Sequence, residues 1–123
     1  NYEQLYSSFQ WNIPDEFNIG EAICDRHIKG KGSSVAVFYE DEEGNEAKWT
    51  FEDIKNKSNE LANLLKDLGV KRGDRVGVYL PLKPETVAAL VAIYKMGCIS
   101  LSISPLFGPD AVLYRLKDSE ARF

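Results

Sequence analysis

The spacing of apolar residues changes from strand-like to helix-like several times after residue 34. Short runs rich in β-branched and aromatic residues cover 35–39 and 47–50, and each predicts a strand. Gly44 and Asn45 lie between them in an acidic stretch and predict a hairpin turn. We interpret the acidic stretch as a solvated loop, because its carboxylates lack the spacing of a calcium-binding loop.

A long amphipathic pattern begins at Thr50, which is placed to cap a helix by accepting the amide hydrogen bond of Asp53. Gly69 predicts the end of this helix, and Val70 supplies the apolar contact that follows such an end. The apolar residues that recur at helical spacing are Ile54, Leu61, Ala62, Leu65 and Leu68. This helix is the most clearly predicted element of the chain.

Two strand–helix units follow. The apolar runs at 75–80 and 99–103 predict strands, and Pro84 and Pro109 suit the first position of the helices after them. Strand, helix and strand at this spacing predict parallel strands joined by right-handed crossovers. The fold class is therefore α/β, with a β-hairpin added.

The predicted sheet is thin for the amount of apolar helix surface it has to cover. The chain ends at 121–123, where the pattern predicts the start of a further strand. We interpret the sheet as incomplete and the chain as a piece of something larger. On this interpretation, the apolar helix surface at 87–96 is expected to be exposed.

Residues 1–34 are interpreted as a peripheral lead-in, and residues 35–123 as the start of the α/β domain. Within the lead-in, Asn18 suits a helix N-cap with Glu21 reaching back to it. The glycine-containing segment 30–34 then ends that helix. It is not a phosphate-binding loop, because it follows a helix and precedes a strand; we interpret it as a flexible connector.

Composition places the chain among globular proteins, since apolar residues make up 44% and charged residues 28% of its 123 positions. With a formal net charge of −4, it lacks the dense basic face on which nonspecific nucleic-acid binding depends. No apolar run approaches the roughly 20 residues of a spanning helix. We therefore expect no nucleic acid among its partners and no membrane span.

Catalytic chemistry is sparse in this sequence. Cys24 and Cys98 lack metal-ligand spacing and are interpreted as buried free thiols. The single histidine, His27, is expected to be exposed and without a role. We therefore assign no catalytic and no metal-binding residue. Because no secretory leader is recognisable, a cytoplasmic location is expected.

The loops 81–83 and 104–108 leave the carboxyl ends of the predicted parallel strands, where ligands of open α/β sheets bind. Neither loop is rich enough in glycine for a dinucleotide-binding fingerprint. Their residues taken alone favour ordinary strand-to-helix turns.

The order of several short segments resembles the start of the adenylate-forming acyl-CoA synthetases, over roughly residues 10 to 123. The resemblance is closest to the acetyl-CoA synthetase branch and its archaeal and medium-chain relatives. The segments that carry it are 49–54 (WTFEDI), 58–65 (SNELANLL), 68–76 (LGVKRGDRV), 80–85 (LPLKPE), 92–98 (AIYKMGC), 104–111 (SPLFGPDA) and 115–121 (RLKDSEA).

The resemblance implies the N-terminal part of the large AMP-binding domain of a ligase of fatty acid metabolism. Such enzymes join a small carboxylic acid to ATP, with Mg²⁺, and pass the acyl group from the adenylate to CoA. Their catalytic motifs lie downstream of this segment, so the segment alone is expected to be inactive, with the rest of its parent chain as partner.

One possible site follows from the resemblance. In the acetyl-CoA synthetase branch, the loop that matches Ser104, Pro105, Leu106 and Phe107 lies near the CoA nucleotide. Some relatives carry glycines at the positions of Pro105 and Leu106, so the approach of CoA to this backbone is expected to differ. The alternative interpretation of the whole chain is a self-sufficient small α/β module for ligand binding or protein interaction.

Overall fold

Six α-helices and four β-strands make up the fold, in the order that the apolar pattern predicts after residue 34. The computed structural model describes all of residues 1–123. Its elements are α1 (Tyr2–Ser8), α2 (Ile19–Ile23), a 3₁₀ turn (Asp25–His27), α3 (Ile28–Lys31), β1 (Val35–Glu40), β2 (Glu46–Thr50), α4 (Phe51–Asp67), β3 (Arg75–Val78), α5 (Pro84–Lys95), β4 (Ile99–Ser102) and α6 (Pro109–Asp118).

The hairpin of β1 and β2 is antiparallel, as predicted. Gly44 has a φ of 82°, a left-handed conformation that favours glycine. The Asp41 carboxylate accepts hydrogen bonds from the Glu43 amide, the Asn45 amide and the Asn45 side chain. These bonds, that of the Asn45 side chain first, lower the pKa of Asp41. The acidic loop is therefore an ordered, solvent-exposed turn.

A second sheet joins β3 and β4 in parallel, with α5 as the crossover between them. The α/β fold class predicted from the sequence is therefore confirmed. The chain returns to this sheet at its last residues, where the Gly77 amide donates to the Phe123 carbonyl at 2.8 Å. This bond places 121–123 beside β3, in the position of a third strand.

The prediction that β3 continues to residue 80 is wrong. The ladder with β4 ends at Val78 and Ser102, and the two residues after Val78 have no strand opposite them. Leu80 consequently keeps 44% of its surface exposed.

Helix α5 is the centre of the core rather than the exposed surface that we expected. Its buried residues are Pro84, Ala88, Ala89, Val91, Ala92 and Ile93. Ile93 packs with Val70, Val76, Val78 and Cys98, while Val91 packs with Cys24 and Ile54. The expectation fails because α2 and α4 cover the side of α5 that faces away from the sheet.

Helix α4 begins and ends as the sequence predicts. Thr50 accepts the amide hydrogen bond of Asp53, whose carboxylate accepts from the Thr50 amide in return. At the other end, Gly69 has a φ of 91° and the Val70 amide donates to the Leu65 carbonyl, which closes a Schellman motif.

Leu68 does not join the buried stripe of α4, and the prediction of a flexible connector at 30–34 is wrong. Leu68 is 62% exposed, because it lies at the C-cap and beyond the stripe that faces α5. The segment 30–34 is not a free connector, since the Gly32 and Ser34 carbonyls accept from the Glu52 and Phe51 amides in the first turn of α4.

The lead-in is more broken than its sequence suggested. Asn18 caps α2 as predicted, but the helix stops before Cys24, whose φ and ψ of −129° and −70° are not helical. Helix α1 was not predicted; Asn1 and Gln4 form its capping box. His27 is half-buried rather than exposed, with its ring centre 5.0 Å from that of Phe51. The domain boundary after residue 34 stays a prediction.

Candidate functional site

The loop 104–108 leaves the carboxyl end of β4 and leads into α6. Ile103, directly before it, is buried, whereas Leu106 is 93% exposed. Because ligands of open α/β sheets bind outside the carboxyl ends of parallel strands, the loop lies where such a site is expected. The structure brings the four residues assigned from the sequence, Ser104, Pro105, Leu106 and Phe107, together in this single turn.

Ser104 sets the local conformation of the turn. Its carbonyl accepts the Phe107 amide at 3.1 Å, and its Oγ accepts the Leu106 amide at 3.3 Å. Serine hydroxyls favour turns because they offer the backbone such local acceptors. The bonds bend the chain so that the Leu106 side chain stands at the tip of the loop, in solvent.

Tyr79 connects the loop to the end of the neighbouring strand. Its hydroxyl lies 3.1 Å from the Pro105 carbonyl and 3.0 Å from the Phe107 carbonyl. A phenol has a single proton to donate, so the two carbonyls share it. Both acceptors belong to the loop, and Tyr79 therefore restrains its backbone at two points.

Arg115 of α6 lies against the same loop from the other side. The centre of its guanidinium is 4.0 Å from the centre of the Phe107 ring, which is within the range of a cation–π contact. Its Nη1 donates to the Ala111 carbonyl at 2.9 Å, which fixes the side chain along α6. Arg115 forms no ion pair, so its charge remains uncompensated by protein carboxylates.

A cleft of about 290 Å³ opens next to the loop on the side of the sheet that α5 does not cover. Apolar side chains form most of its wall. Its lining residues are Gly77, Tyr79, Ile103, Val112, Leu116, Ala121, Arg122 and Phe123. Tyr79 thus borders the cleft and bonds to the loop at the same time.

A second polar cluster lies at the opposite end of α5, around Lys95. Its Nζ lies 2.8 Å from Asp25 Oδ1, 2.9 Å from Ser58 Oγ and 2.9 Å from Asn59 Oδ1. The geometry at Asp25 Oδ1 is that of an ion pair without an aligned hydrogen bond, and this atom is otherwise unpartnered and buried. The ammonium is surrounded by three protein oxygens, which assigns Lys95 a structural role.

The two cysteine thiols lie outside the loop and are buried. Burial raises the pKa of both thiols, Cys24 and Cys98, and thereby favours the unreactive protonated form. Both thiols are free and buried, as the sequence indicated. No three His, Cys, Asp or Glu side chains lie close enough together to hold a metal ion. None of the helices is long and apolar enough to span a membrane.

Comparison with known proteins identifies the family of the chain. Residues 24–123 match the family described as AMP-binding enzyme. The chain therefore belongs to the AMP-binding enzyme family, and the resemblance seen in the sequence is confirmed.

The particular relatives are synthetases and ligases. The chain is 36% identical over 114 residues to the acetyl-coenzyme A synthetase of Streptomyces avermitilis, covering 92% of this chain and 18% of that protein. It is 32% identical over 123 residues to the acetyl-coenzyme A synthetase of Yersinia pestis, covering 99% of this chain and 19% of that protein. The chain thus spans about a fifth of these curated relatives.

Solved structures show the same fold. An acyl-CoA synthetase of Brucella canis superposes with a TM-score of 0.88 at 28% identity, over 98% of this chain and 24% of that one. The anthranilate CoA ligase AuaEII, solved with anthranoyl-AMP, superposes with a TM-score of 0.80 at 31% identity, over 90% of this chain and 20% of that one.

Sequence reasoning identified the loop but missed Tyr79 and Arg115. Tyr79 follows β3 directly, and Arg115 comes six residues after the proline that begins α6. The parallel pairing of β3 with β4 was predicted, and it alone implies that the residues after both strands are neighbours. That signal was available for Tyr79; nothing in the sequence indicated which way Arg115 extends along its helix.

Proposed function

We propose that this chain is the N-terminal part of an acyl-CoA synthetase of the acetyl-CoA synthetase type. The whole enzyme forms an acyl-adenylate from a small carboxylic acid and ATP, releases pyrophosphate and transfers the acyl group to CoA. Within it, the described segment is scaffold, and Ser104, Pro105, Leu106 and Phe107 lie near the CoA nucleotide. We place the enzyme in the cytoplasm.

The observation that carries this proposal is the loop 104–108. It stands at the carboxyl edge of the sheet, it is ordered by Ser104 and Tyr79, and it presents Leu106 almost entirely to solvent. Acetyl-coenzyme A synthetases match the chain across this loop, since one alignment covers 99% of the chain. Covering this exposed apolar side chain with a nucleotide base would remove apolar surface from water, which is favourable.

The fit to the implied cofactors differs between CoA and ATP. The loop offers CoA an exposed apolar tip in Leu106, next to the Phe107 ring that Arg115 covers on one face. The glycine-containing segment 30–34 offers no backbone cradle for the phosphates of ATP, because its Gly32 and Ser34 amides already donate to the Ile28 and Lys31 carbonyls. We propose that ATP and Mg²⁺ are bound by parts of the enzyme outside the described residues.

Burial argues against the alternative of a self-sufficient module. Only 15 of the 123 residues are buried. Several large apolar side chains stay more than 60% exposed, which is unusual for an independent domain: Tyr2, Leu5, Tyr6, Phe9, Trp11, Ile13, Phe17, Phe38, Leu68, Leu82, Leu106 and Tyr114. In the proposed enzyme, the remainder of the polypeptide covers part of this surface.

The proposal is tested with the full-length protein that carries this segment. It should catalyse acid-dependent exchange of labelled pyrophosphate into ATP, and should form acyl-CoA when CoA is added. Absence of both reactions across a panel of short- and medium-chain acids would contradict the proposal. Residues 1–123 alone should give no exchange above the blank, and clear turnover by that piece would contradict its assignment as scaffold.

A further inference from the structure

Two side chains that flank the loop 104–108 restrain it from different elements. Tyr79 extends from the end of β3, and Arg115 extends from α6. We propose that both are positioning residues for the CoA-dependent step: they hold the loop in the conformation that receives the CoA nucleotide, and they act through the loop. This inference rests on the proposed function of the loop.

The backbone geometry shows why the Tyr79 hydroxyl matters. The Pro105 and Phe107 carbonyls are two residues apart, yet both point to the same oxygen, at 3.1 and 3.0 Å. Few loop conformations bring two such carbonyls close to one donor. The Tyr79 hydroxyl therefore stabilises those few conformations relative to the others. A net hydrogen bond of ordinary strength changes such a population roughly fivefold.

Arg115 restrains the side chain of the same residue whose carbonyl Tyr79 holds. Its guanidinium covers one face of the Phe107 ring at 4.0 Å, and its bond to Ala111 keeps it there. Phe107 is 38% exposed, so part of its ring remains accessible to a ligand. Backbone and ring of Phe107 are thus fixed separately, one from β3 and the other from α6.

None of the residues that make these contacts is buried. Tyr79 is 47% exposed and its hydroxyl bonds only to the loop. Removing the hydroxyl should therefore change the loop and leave the fold intact. This separation makes a functional test possible, because a folding defect and a positioning defect have different signatures.

The experiment uses the full-length enzyme and compares Tyr79→Phe with Tyr114→Phe. Tyr114 lies on α6 and is 66% exposed, and its hydroxyl forms no hydrogen bond with the protein, which makes it a matched control. We expect Tyr79→Phe to accelerate hydrogen exchange of the Leu106 and Phe107 amides about fivefold. It should also raise the KM for CoA about fivefold, with acid-dependent pyrophosphate exchange unchanged. Tyr114→Phe should change none of the three.

Arg115 is tested by a conservative and a neutral variant. Arg115→Lys keeps a cation over the Phe107 ring and should restore a KM for CoA within about twofold of wild type. Arg115→Met keeps the length of the side chain without the charge and should raise the KM for CoA as Tyr79→Phe does. Equal KM values for the lysine and methionine variants would overturn the role given to the cation.

The remaining outcomes separate this inference from the function on which it rests. Faster loop exchange in Tyr79→Phe with an unchanged KM for CoA would overturn the proposed contact between loop and CoA, while loop positioning would stand. Unchanged hydrogen exchange of the Leu106 and Phe107 amides would overturn the positioning role, whatever the KM for CoA. A parallel fall in pyrophosphate exchange would show a general structural effect and would also overturn it.

Discussion

The two ends of α5 lead to polar clusters that are built in opposite ways. Around Lys95 the central polar groups are enclosed: Ser58 is fully buried and the Lys95 side chain is 11% exposed, whereas the Asp25 side chain is 31% exposed and Asn59 is exposed. The loop 104–108 follows β4 at the other edge of the sheet and is also held by polar contacts. Leu106 at its tip is nevertheless 93% exposed. We call the first cluster the α5 junction and define it by Asn18, Gly20, Asp25, Ser58, Asn59 and Lys95.

This difference in burial indicates a different role for each cluster. A buried charge costs free energy unless it is paired, so the contacts of the junction are needed for α2 and α4 to pack on α5. Exposed loops on a rigid scaffold contribute little to packing and are common places for binding residues. We therefore expect junction variants to change stability, and loop variants to change ligand binding.

The largest effect is expected for Gly20→Ala. A Cβ at this position would lie 2.7 Å from Lys95 Cγ, 2.8 Å from the Lys95 backbone nitrogen and 2.9 Å from the Val91 carbonyl oxygen. Because two of these atoms are backbone, α2 must move away from α5, and the free energy of unfolding should fall by about 3 kcal/mol. Denaturant unfolding of the full-length protein measures this.

Gly108→Ala is the matched control for that clash. A Cβ at Gly108 meets no atom within 4 Å, and the φ of −70° suits any residue. Its free energy of unfolding should change by less than about 1 kcal/mol. Equal losses for the two alanine variants would show that α2 does not pack closely on α5.

The next largest effect is expected for Lys95→Met. It leaves the Asp25 carboxylate, whose side chain is 31% exposed, without a countercharge. The free energy of unfolding should fall by about 2 kcal/mol, less than for a fully enclosed pair because solvent reaches Asp25. Asp25→Asn should lose less, because the Lys95 ammonium keeps its hydrogen bonds to the Ser58 and Asn59 oxygens. A loss in Lys95→Met no larger than that in Asp25→Asn would contradict the pairing.

A smaller, pH-dependent effect is expected at the start of α4. Hydrogen bonds from the Thr50 side chain and amide lower the pKa of Asp53 below its ordinary value of 3.8. A lowered pKa means that this carboxylate stabilises the fold above the ordinary value, and that the stabilisation disappears as pH falls through the folded-state value. Asp53→Asn should therefore be less stable than wild type at neutral pH.

The two proteins should become alike in stability as the pH is lowered below that window. Urea unfolding midpoints of wild type and Asp53→Asn, followed from neutral pH to about pH 3, measure the convergence. A constant difference between them across the series would show that the ionised carboxylate is not what stabilises the cap.

The smallest effects on stability are expected in the loop. Leu106 buries almost none of its surface, so Leu106→Glu should change the free energy of unfolding by less than about 0.5 kcal/mol. The same denaturant titration measures this. A loss comparable to that of Lys95→Met would remove the contrast between the junction and the loop.

Local signals explain which parts of the fold the sequence predicted. The signals that bound α4 are local to each end of the helix: Thr50 and Asp53 cap its start, and Gly69 and Val70 form its end. Their pattern therefore already determined where α4 starts and stops. The sheet pairing followed from the short crossover through α5. The end of β3 was misjudged, because it depends on where the partner strand stops.

Long-range contacts explain what was missed. In the sequence, Ser58 is only a polar position on α4. The hydrogen bond from Lys95 of α5 explains why it is buried. The exposed surface expected on α5 is absent because α2, more than 60 residues earlier in the chain, covers it. At the candidate site, the four loop residues were assigned from the resemblance, whereas Arg115 required the rotamer that brings it to Phe107.

In the proposed function, the loop 104–108 serves the CoA-dependent step of an adenylate-forming enzyme. Leu106→Glu in the full-length enzyme tests it most directly, with Leu82→Glu, 91% exposed in the loop after β3, as control. A carboxylate at the loop tip should repel the CoA phosphates and raise the KM for CoA about tenfold, with pyrophosphate exchange unchanged and Leu82→Glu closer to wild type. Equal KM values for CoA in wild type and Leu106→Glu would contradict the claim.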